Sequence, residues 1–246
     1  MKIFAISDPH LSFAQPKPMD VFGERWENHA ERMKEAWHAH VQQDDLVLIP
    51  GDLSWAMKHG DAQLDLNFLG ECPGKKVILR GNHDYWWHSI TQVRAILPPR
   101  MYAIQNDSMR FGNVVICGTR GWVCPESSFF TEKEDRKIYE REVMRLDMSI
   151  QSIKRQPGDY VIAMLHYPPF NEKRETSGFT EKLEQANVDQ ILYGHLHGKS
   201  CASAFEGERN GIQYHLVSCD HLRFEPLLIA ESAEDGSIRA YYSRTI

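Results

Sequence analysis

The feature that most constrains the fold of this chain is a set of short apolar runs: Lys2 to Ser7, Leu46 to Pro50, Lys76 to Arg80, Asn113 to Cys117, Tyr160 to Leu165 and Gln190 to Tyr193. Each has the length of a strand, and most lack the apolar-polar alternation of a half-exposed one, which predicts burial on both faces. Helix-like segments separate several of them. Trp26, Ala30, Met33, Trp37 and Val41 form one stripe of a 3.6-residue helix. A second helix is predicted from Thr131, where Thr131 and Glu134 resemble a capping box, to about Arg155, with Pro157 and Gly158 as its stop. After Gly198 the pattern changes to strand and turn: Ile212 to Val217, Leu227 to Ala230 and Ile238 to Tyr242, with Asp235 and Gly236 as a hairpin turn. This tail predicts antiparallel pairing. The expected fold class is α/β, an α/β/β/α sandwich of two packed mixed β-sheets flanked by helices. No repeat or Pro/Gly/Ser linker divides the chain, so residues 1–246 are expected to form a single domain.

Ligands of open α/β sheets collect just beyond the carboxyl ends of strands, and there this sequence repeatedly places residues able to bind a metal. The first run leads into Asp8, Pro9 and His10, the second into Gly51 and Asp52, and the third into Gly81, Asn82, His83 and Asp84. The Tyr160 run ends at His166, and the Gln190 run at Gly194, His195, Leu196 and His197. One Asp or His after a strand is ordinarily a turn former or a surface side chain, and DxH or GHxH alone occurs by chance. Several such sets in order, each at the mouth of a strand, make the coincidences multiply. Carboxylate, amide and imidazole donors without thiolate favour Mn, Fe, Zn or Co. Two aspartates, one asparagine and at least four histidines are too many donors for one ion. Two divalent or trivalent transition-metal ions sharing a bridging carboxylate are expected, in the arrangement that clamps both oxygens of a phosphoryl displacement.

Composition narrows the function classes. With 28 basic and 34 acidic side chains the formal net charge is −6, which excludes a nucleic-acid-coating protein and argues against a nucleic-acid partner. Hydrophobic content of 42% is enough to bury a sizeable core. No apolar run approaches the roughly 18 residues that cross a bilayer, so no membrane insertion is expected. The apolar stretch before Ser7 is too short for the core of a signal peptide, and the expected location is cytoplasmic. Five cysteines without CxxC spacing predict reduced thiols, neither a disulfide framework nor a cysteine zinc site.

The five blocks in order, DxH, GD, GNHD, a lone His and GHxH, resemble the calcineurin-like metallophosphoesterase superfamily from Asp8 to His197. The resemblance implies that Asp8, His10, Asp52 and His197 hold one ion and that Asp52, Asn82, His166 and His195 hold the other, with Asp52 bridging. It makes His83 a general acid that binds neither metal, oriented by Asp84, and has a hydroxide between the ions attack phosphorus in line. The implied activity is that of a metal-dependent phosphoesterase acting on a phosphomonoester or phosphodiester of a small molecule.

Departures from the family's branches bear on the substrate. Protein phosphatases of the superfamily carry GDxVDRG, but Leu53, Ser54, Trp55 and Ala56 follow Asp52 here. Hydrolases of lipid-A precursors typically have GNRD, where this chain has His83. The block GNHDYWW resembles small bacterial predicted phosphohydrolases, which give no substrate. A nuclease is the alternative activity and would want a basic groove. A catalytically silent scaffold would lack ligands, whereas every block is filled here.

Specificity is then expected from the loops. The stretch from Leu11 to Arg25, with Pro16, Pro18 and Gly23, has the length of a lid or binding loop. Trp55, Tyr85, Trp86 and Trp87 adjoin the metal blocks and are candidates either for stacking on substrate or for core packing. Arg120 and Lys199 follow strand ends and are candidate phosphate contacts. His88, His215 and His221 match no block, and His29, His38 and His40 belong to the first helix, so none is expected in the site.

Overall fold

Ile3 and Ala5 point to one side of the first strand and Phe4 and Ile6 to the other, and all four are buried. A computed structural model describes residues 1–241. Its elements begin β1 (Lys2–Ala5), α1 (His29–His40), β2 (Leu46–Ile49), α2 (His59–Glu71), β3 (Lys75–Ile78), α3 (Ile90–Ile96), β4 (Met101–Ala103), β5 (Met109–Phe111) and β6 (Val114–Thr119). They continue with α4 (Glu132–Gln151), β7 (Tyr160–Leu165), α5 (Gly178–Gln185), β8 (Gln190–Tyr193), β9 (Gly207–Arg209), β10 (Ile212–Leu216), β11 (Leu227–Ser232) and β12 (Ile238–Ala240).

Among the described residues two six-stranded sheets result, one ordered β12-β11-β1-β2-β3-β4 and the other β5-β6-β7-β8-β10-β9. In the first, β1, β2, β3 and β4 are parallel neighbours, and β11 and β12 close one side antiparallel. In the second, β6, β7, β8 and β10 are parallel, edged by antiparallel β5 and β9. The expected sandwich is therefore present, and its core has three slabs. Ile3, Ala5, Leu48, Val77, Ile116, Ile162, Met164 and Leu192 fill the space between the sheets. Phe4, Val47, Ile49 and Ile78 pack outward against Met33, Trp37, Leu66 and Val93 of the helices. Val115, Cys117, Ala163, Leu165 and Ile191 do the same against Tyr139, Leu146, Phe179 and Leu183. Strands buried on both faces explain the unbroken runs.

Several expectations need correction. The tail is not simply antiparallel: it divides between the sheets, and β10 lies parallel to β8. Thr131 makes no side-chain cap; the Asp135 carboxylate accepts the Thr131 N–H at 2.7 Å instead. α4 stops at Gln151, short of Arg155. The turn at Asp235 and Gly236 is present, with the Asp235 carboxylate accepting the Ser237 N–H at 2.9 Å. Tyr242, the expected end of the last strand, lies outside the described residues. Among the described residues no helix is long and apolar enough to cross a membrane.

Gly118 shows how tightly β6 and β7 approach. A Cβ at this position would run into the Met164 carbonyl oxygen across the ladder, and backbone cannot swing aside as a side chain can. Gly118→Ala is expected to lower the unfolding free energy by about 2 kcal/mol or more, read from the urea midpoint. Leu146→Ala, which empties a fully buried site under α4, should destabilise by about 2–5 kcal/mol in the same assay.

Candidate metal centre

Parallel strands end on the same edge, so the residues after β1, β2 and β3 meet those after β7 and β8. Backbone bonds stitch the loops together: Ser7 N–H to Val217 C=O at 2.7 Å across the two sheets, Asp8 N–H to Gly51 C=O at 3.0 Å and His10 N–H to Asp52 C=O at 3.1 Å. Asp8, His10, Asp52 and His195 all have positive φ (59°, 46°, 51° and 71°). Such a conformation is uncommon for residues with a side chain and persists where the surroundings over-determine it. Glycines make room around them. A Cβ on Gly81 would collide with Asp52 Oδ1, one on Gly194 with Asp8 Oδ2, and one on Gly51 would sit 2.8 Å from His166 Nδ1.

The side chains converge as two sets of donors. In one, His10 Nε2 lies 3.4 Å from His197 Nε2 and 3.7 Å from Asp52 Oδ2, while His197 Nε2 lies 3.6 Å from Asp8 Oδ1. In the other, Asn82 Oδ1 is 2.6 Å from His166 Nε2 and 2.9 Å from His195 Nδ1, and His166 Nε2 is 3.4 Å from Asp52 Oδ2. Asp52 Oδ2 belongs to both. Donors that share one transition-metal ion at about 2.0–2.2 Å stand about 3–3.5 Å apart, so the spacing and the N/O chemistry fit cations. Among the described residues three groups can hold an ion by this geometry: Asp8, His10 and His197; His10, Asp52 and His83; and Asp8, Asp52 and His166. His83 lies inside the cluster, with Nδ1 2.7 Å from Asp52 Oδ2.

The electrostatics are those of buried anions held by imidazoles. Burial pushes the Asp8 carboxyl up, but His197 and then His166 outweigh it and bring it to about 2. Burial also opposes ionisation of Asp52, and His166, His83 and His10 hold it far below the usual carboxylate range. Burial depresses His10 to about 4 and His195 to about 3. The His197 ring, which burial alone would lower, is carried up to about 10 by Asp220 and Asp8.

Asp84 takes a different place from the one expected. Its buried carboxylate accepts N–H groups from Gly81 at 2.8 Å, Leu53 at 2.9 Å and Ser54 at 3.1 Å, and the Trp86 indole N–H at 3.1 Å. It braces the loops after β2 and β3 against each other and makes no bond to the His83 ring. Trp86 and Trp87 are fully buried and belong to the core. Trp55 stands in the site, stacked on His10 at 4.9 Å between ring centroids and 4.3 Å from the His83 ring. Tyr85 is exposed, edge-on to His83 at 6.2 Å. Arg120 faces Glu142 at 3.3 Å, and Lys199 is exposed on a short 3-10 turn, Gly198–Ser203. The Leu11 to Arg25 stretch is tied to this rim: the Phe13 N–H donates to Asp65 at 2.9 Å, and Lys17 Nζ sits 3.2 Å over the Trp55 ring.

Two residues escaped the sequence reading. His29, expected to be a surface residue of α1, faces the Pro9 carbonyl through Nε2 at 3.0 Å and so supports the turn carrying Asp8 and His10. Asp220 accepts from His197 Nδ1 at 2.7 Å and from the Gly198 N–H at 2.9 Å, which fixes the ring with Nε2 turned toward Asp8. The signal for Asp220 was present, since it too follows a strand.

The model of the calcineurin-like phosphoesterase family matches residues 1–199, and the chain belongs to that family. Among solved structures, the phosphopantetheinyl hydrolase of Mycobacterium tuberculosis aligns over 99% of this chain and 96% of its own, with TM-score 0.55 and 13% identity. The protein of unknown function AQ665 from Aquifex aeolicus aligns over 92% of this chain and 94% of its own, with TM-score 0.51 and 14% identity. Both share the fold. The Gene 66 protein of Mycobacterium phage L5 is 31% identical over 78 residues, a match spanning 32% of this chain and 37% of the phage protein.

Removing the Asp220 anchor without changing its shape tests the geometry. Asp220→Asn is expected to weaken metal binding by roughly 10- to 100-fold. Metal content after dialysis against buffered Mn²⁺, measured by mass spectrometry, reads the effect directly.

Proposed function

We propose that the protein is a dinuclear-metal-dependent phosphohydrolase acting on a phosphate ester of a small molecule. The observation that carries this reading is the pair of donor sets sharing Asp52 Oδ2. Asp8, His10, Asp52 and His197 would hold one ion and Asp52, Asn82, His166 and His195 the other. When bound, the ions supply electrophilic polarisation of the phosphoryl group and acidify water for attack on phosphorus.

The chain's own residues do the rest. His83, with its side chain 32% exposed, borders the open side of the cluster, and it donates a proton to the departing oxygen. Asp52, beside Nδ1 at 2.7 Å, orients that ring. Trp55 walls His10 and His83 on one side. On the other side Tyr167 lies against His195, with ring centroids 4.1 Å apart, and opens into a cleft of about 420 Å³. Phe129, Phe170, Leu196 and Phe205 line that cleft with Tyr167, a surface suited to the organic part of the ester.

The test is a panel of phosphomonoesters, phosphodiesters, cyclic nucleotides, pyrophosphates, phosphopantetheinyl esters and single-stranded DNA, offered to enzyme reconstituted with Mn²⁺. Hydrolysis should vanish with chelator and return with metal. His83→Ala should cut turnover by about 10²-fold or more while metal content stays near that of the parent. Loss of metal accounting for all the lost turnover in that variant would instead make His83 a ligand. Asp52→Asn should deplete both ions together. No hydrolysis of any ester by fully loaded protein would overturn the reading.

A further inference from the structure

Two residues past β3 stands a guanidinium that no carboxylate among the described residues pairs at ion-pair distance. Arg80 is half-buried, its Nε is shielded from solvent without a hydrogen-bond partner, and its guanidinium has no hydrogen bond or ion pair among the described residues. A guanidinium cannot shed its proton in a protein, so it stays charged. Beside it stand two more. Arg120 and Arg145 both reach a single carboxylate, Glu142, at 3.3 and 2.6 Å, and that carboxylate also accepts the Thr119 hydroxyl at 2.6 Å. Arg120 Nε is likewise buried without a partner. Asp84 is the other carboxylate that acts on Arg80, and its oxygens are already taken by three N–H groups and an indole. Burial and then Arg120 work against the charge on Arg80.

These groups surround a cleft of about 150 Å³, walled also by His88, Gln105, Asn106 and Thr119. That is well above the room one water needs, and enough for a phosphate-sized group. It opens where the sheets meet. Arg80 directly precedes Gly81 and Asn82, and the Arg120 carbonyl accepts the N–H groups of His166 and Tyr167 at 3.0 and 2.9 Å. Three guanidiniums set against one committed carboxylate, in a concave site with unused donors, make an anion receptor.

We propose that the cleft of Arg80, Arg120 and Arg145 binds a second anionic group, phosphate or carboxylate, of the same substrate whose ester is cleaved at the metal centre. This rests on the phosphoesterase reading and narrows it to esters that carry another negative group. Arg80 is the specificity residue, because its donors have no other partner among the described residues, whereas Arg120 and Arg145 are shared with Glu142.

The binding test uses chelator-treated protein, so that phosphate has no metal to bind. Calorimetric titration with inorganic phosphate at low salt should show binding that Arg80→Gln weakens at least 10-fold. Phosphate should raise the melting temperature of the parent and not of Arg80→Gln. Without phosphate the variant should melt no lower than the parent, since it loses no bond; a lower melting temperature would assign Arg80 a structural role and overturn the proposal. Equal phosphate binding by both proteins would also overturn it. With Mn²⁺-loaded enzyme, kcat/KM for esters bearing a second phosphate or a carboxylate, divided by that for phenyl phosphate, should fall about 10-fold in Arg80→Gln. Phosphate binding lost with this ratio unmoved would overturn the assignment to substrate. If the loaded enzyme hydrolyses no ester, the phosphoesterase reading fails, and the calorimetry still decides whether the cleft receives an anion.

Discussion

Two carboxylates, Asp8 and Asp52, are buried within reach of the same imidazoles, and this confinement of like charge organises everything near it. Buried charges of one sign persist only when opposite charge is brought to them. Here histidines on four of the five loops that carry the cluster do so, together with whatever cations the site admits. The sheets exist, in this sense, to hold those loops. Parallel β1, β2 and β3 deliver three of them in register, β7 and β8 deliver the other two, and the Ser7 to Val217 bond locks one sheet's edge to the other's.

Maintaining that arrangement imposes conditions on the backbone. Four of the converging residues hold a left-handed conformation, and three glycines stand where any Cβ would strike a donor side chain or the loop beside it. Strain of this kind is retained where position matters more than stability. Asp84 and Asp220 act at the next remove: one pins two loops together by their N–H groups, the other fixes the direction of an imidazole. Neither touches the open side of the cluster.

What could be read from the sequence followed from local rules. A strand buried on both faces is an unbroken apolar run, and a residue that must face the ligand edge follows it directly, so both the sandwich and the converging donors were visible. The helix α2 was not, because its inner face carries Asp65 among Ala62, Leu66 and Leu69. That acid is satisfied by the Ser54 hydroxyl and the Phe13 N–H, partners from elsewhere in the chain that no periodicity reveals. Asp220 was missed for a related reason: it stands beyond Val217, Ser218 and Cys219, and the Asp220-His221 pair matches none of the five blocks. Arg80 reads as the last residue of a strand, and its isolation emerges only when the neighbours of its guanidinium are known. The bond from Thr131 to Asp135 shows that a cap signal names a helix start more reliably than it names the capping atoms.

The seam between the sheets has a consequence for how such a protein comes into being. Donors from the first quarter of the chain, Asp8, His10 and Asp52, meet partners from its last quarter, His195, His197 and Asp220. Chains fold as they are synthesised, from the amino end onward. A ribosome must therefore have passed Asp220 before the cage closes, and until then the growing polypeptide has the pieces of a hydrolytic site without the site itself.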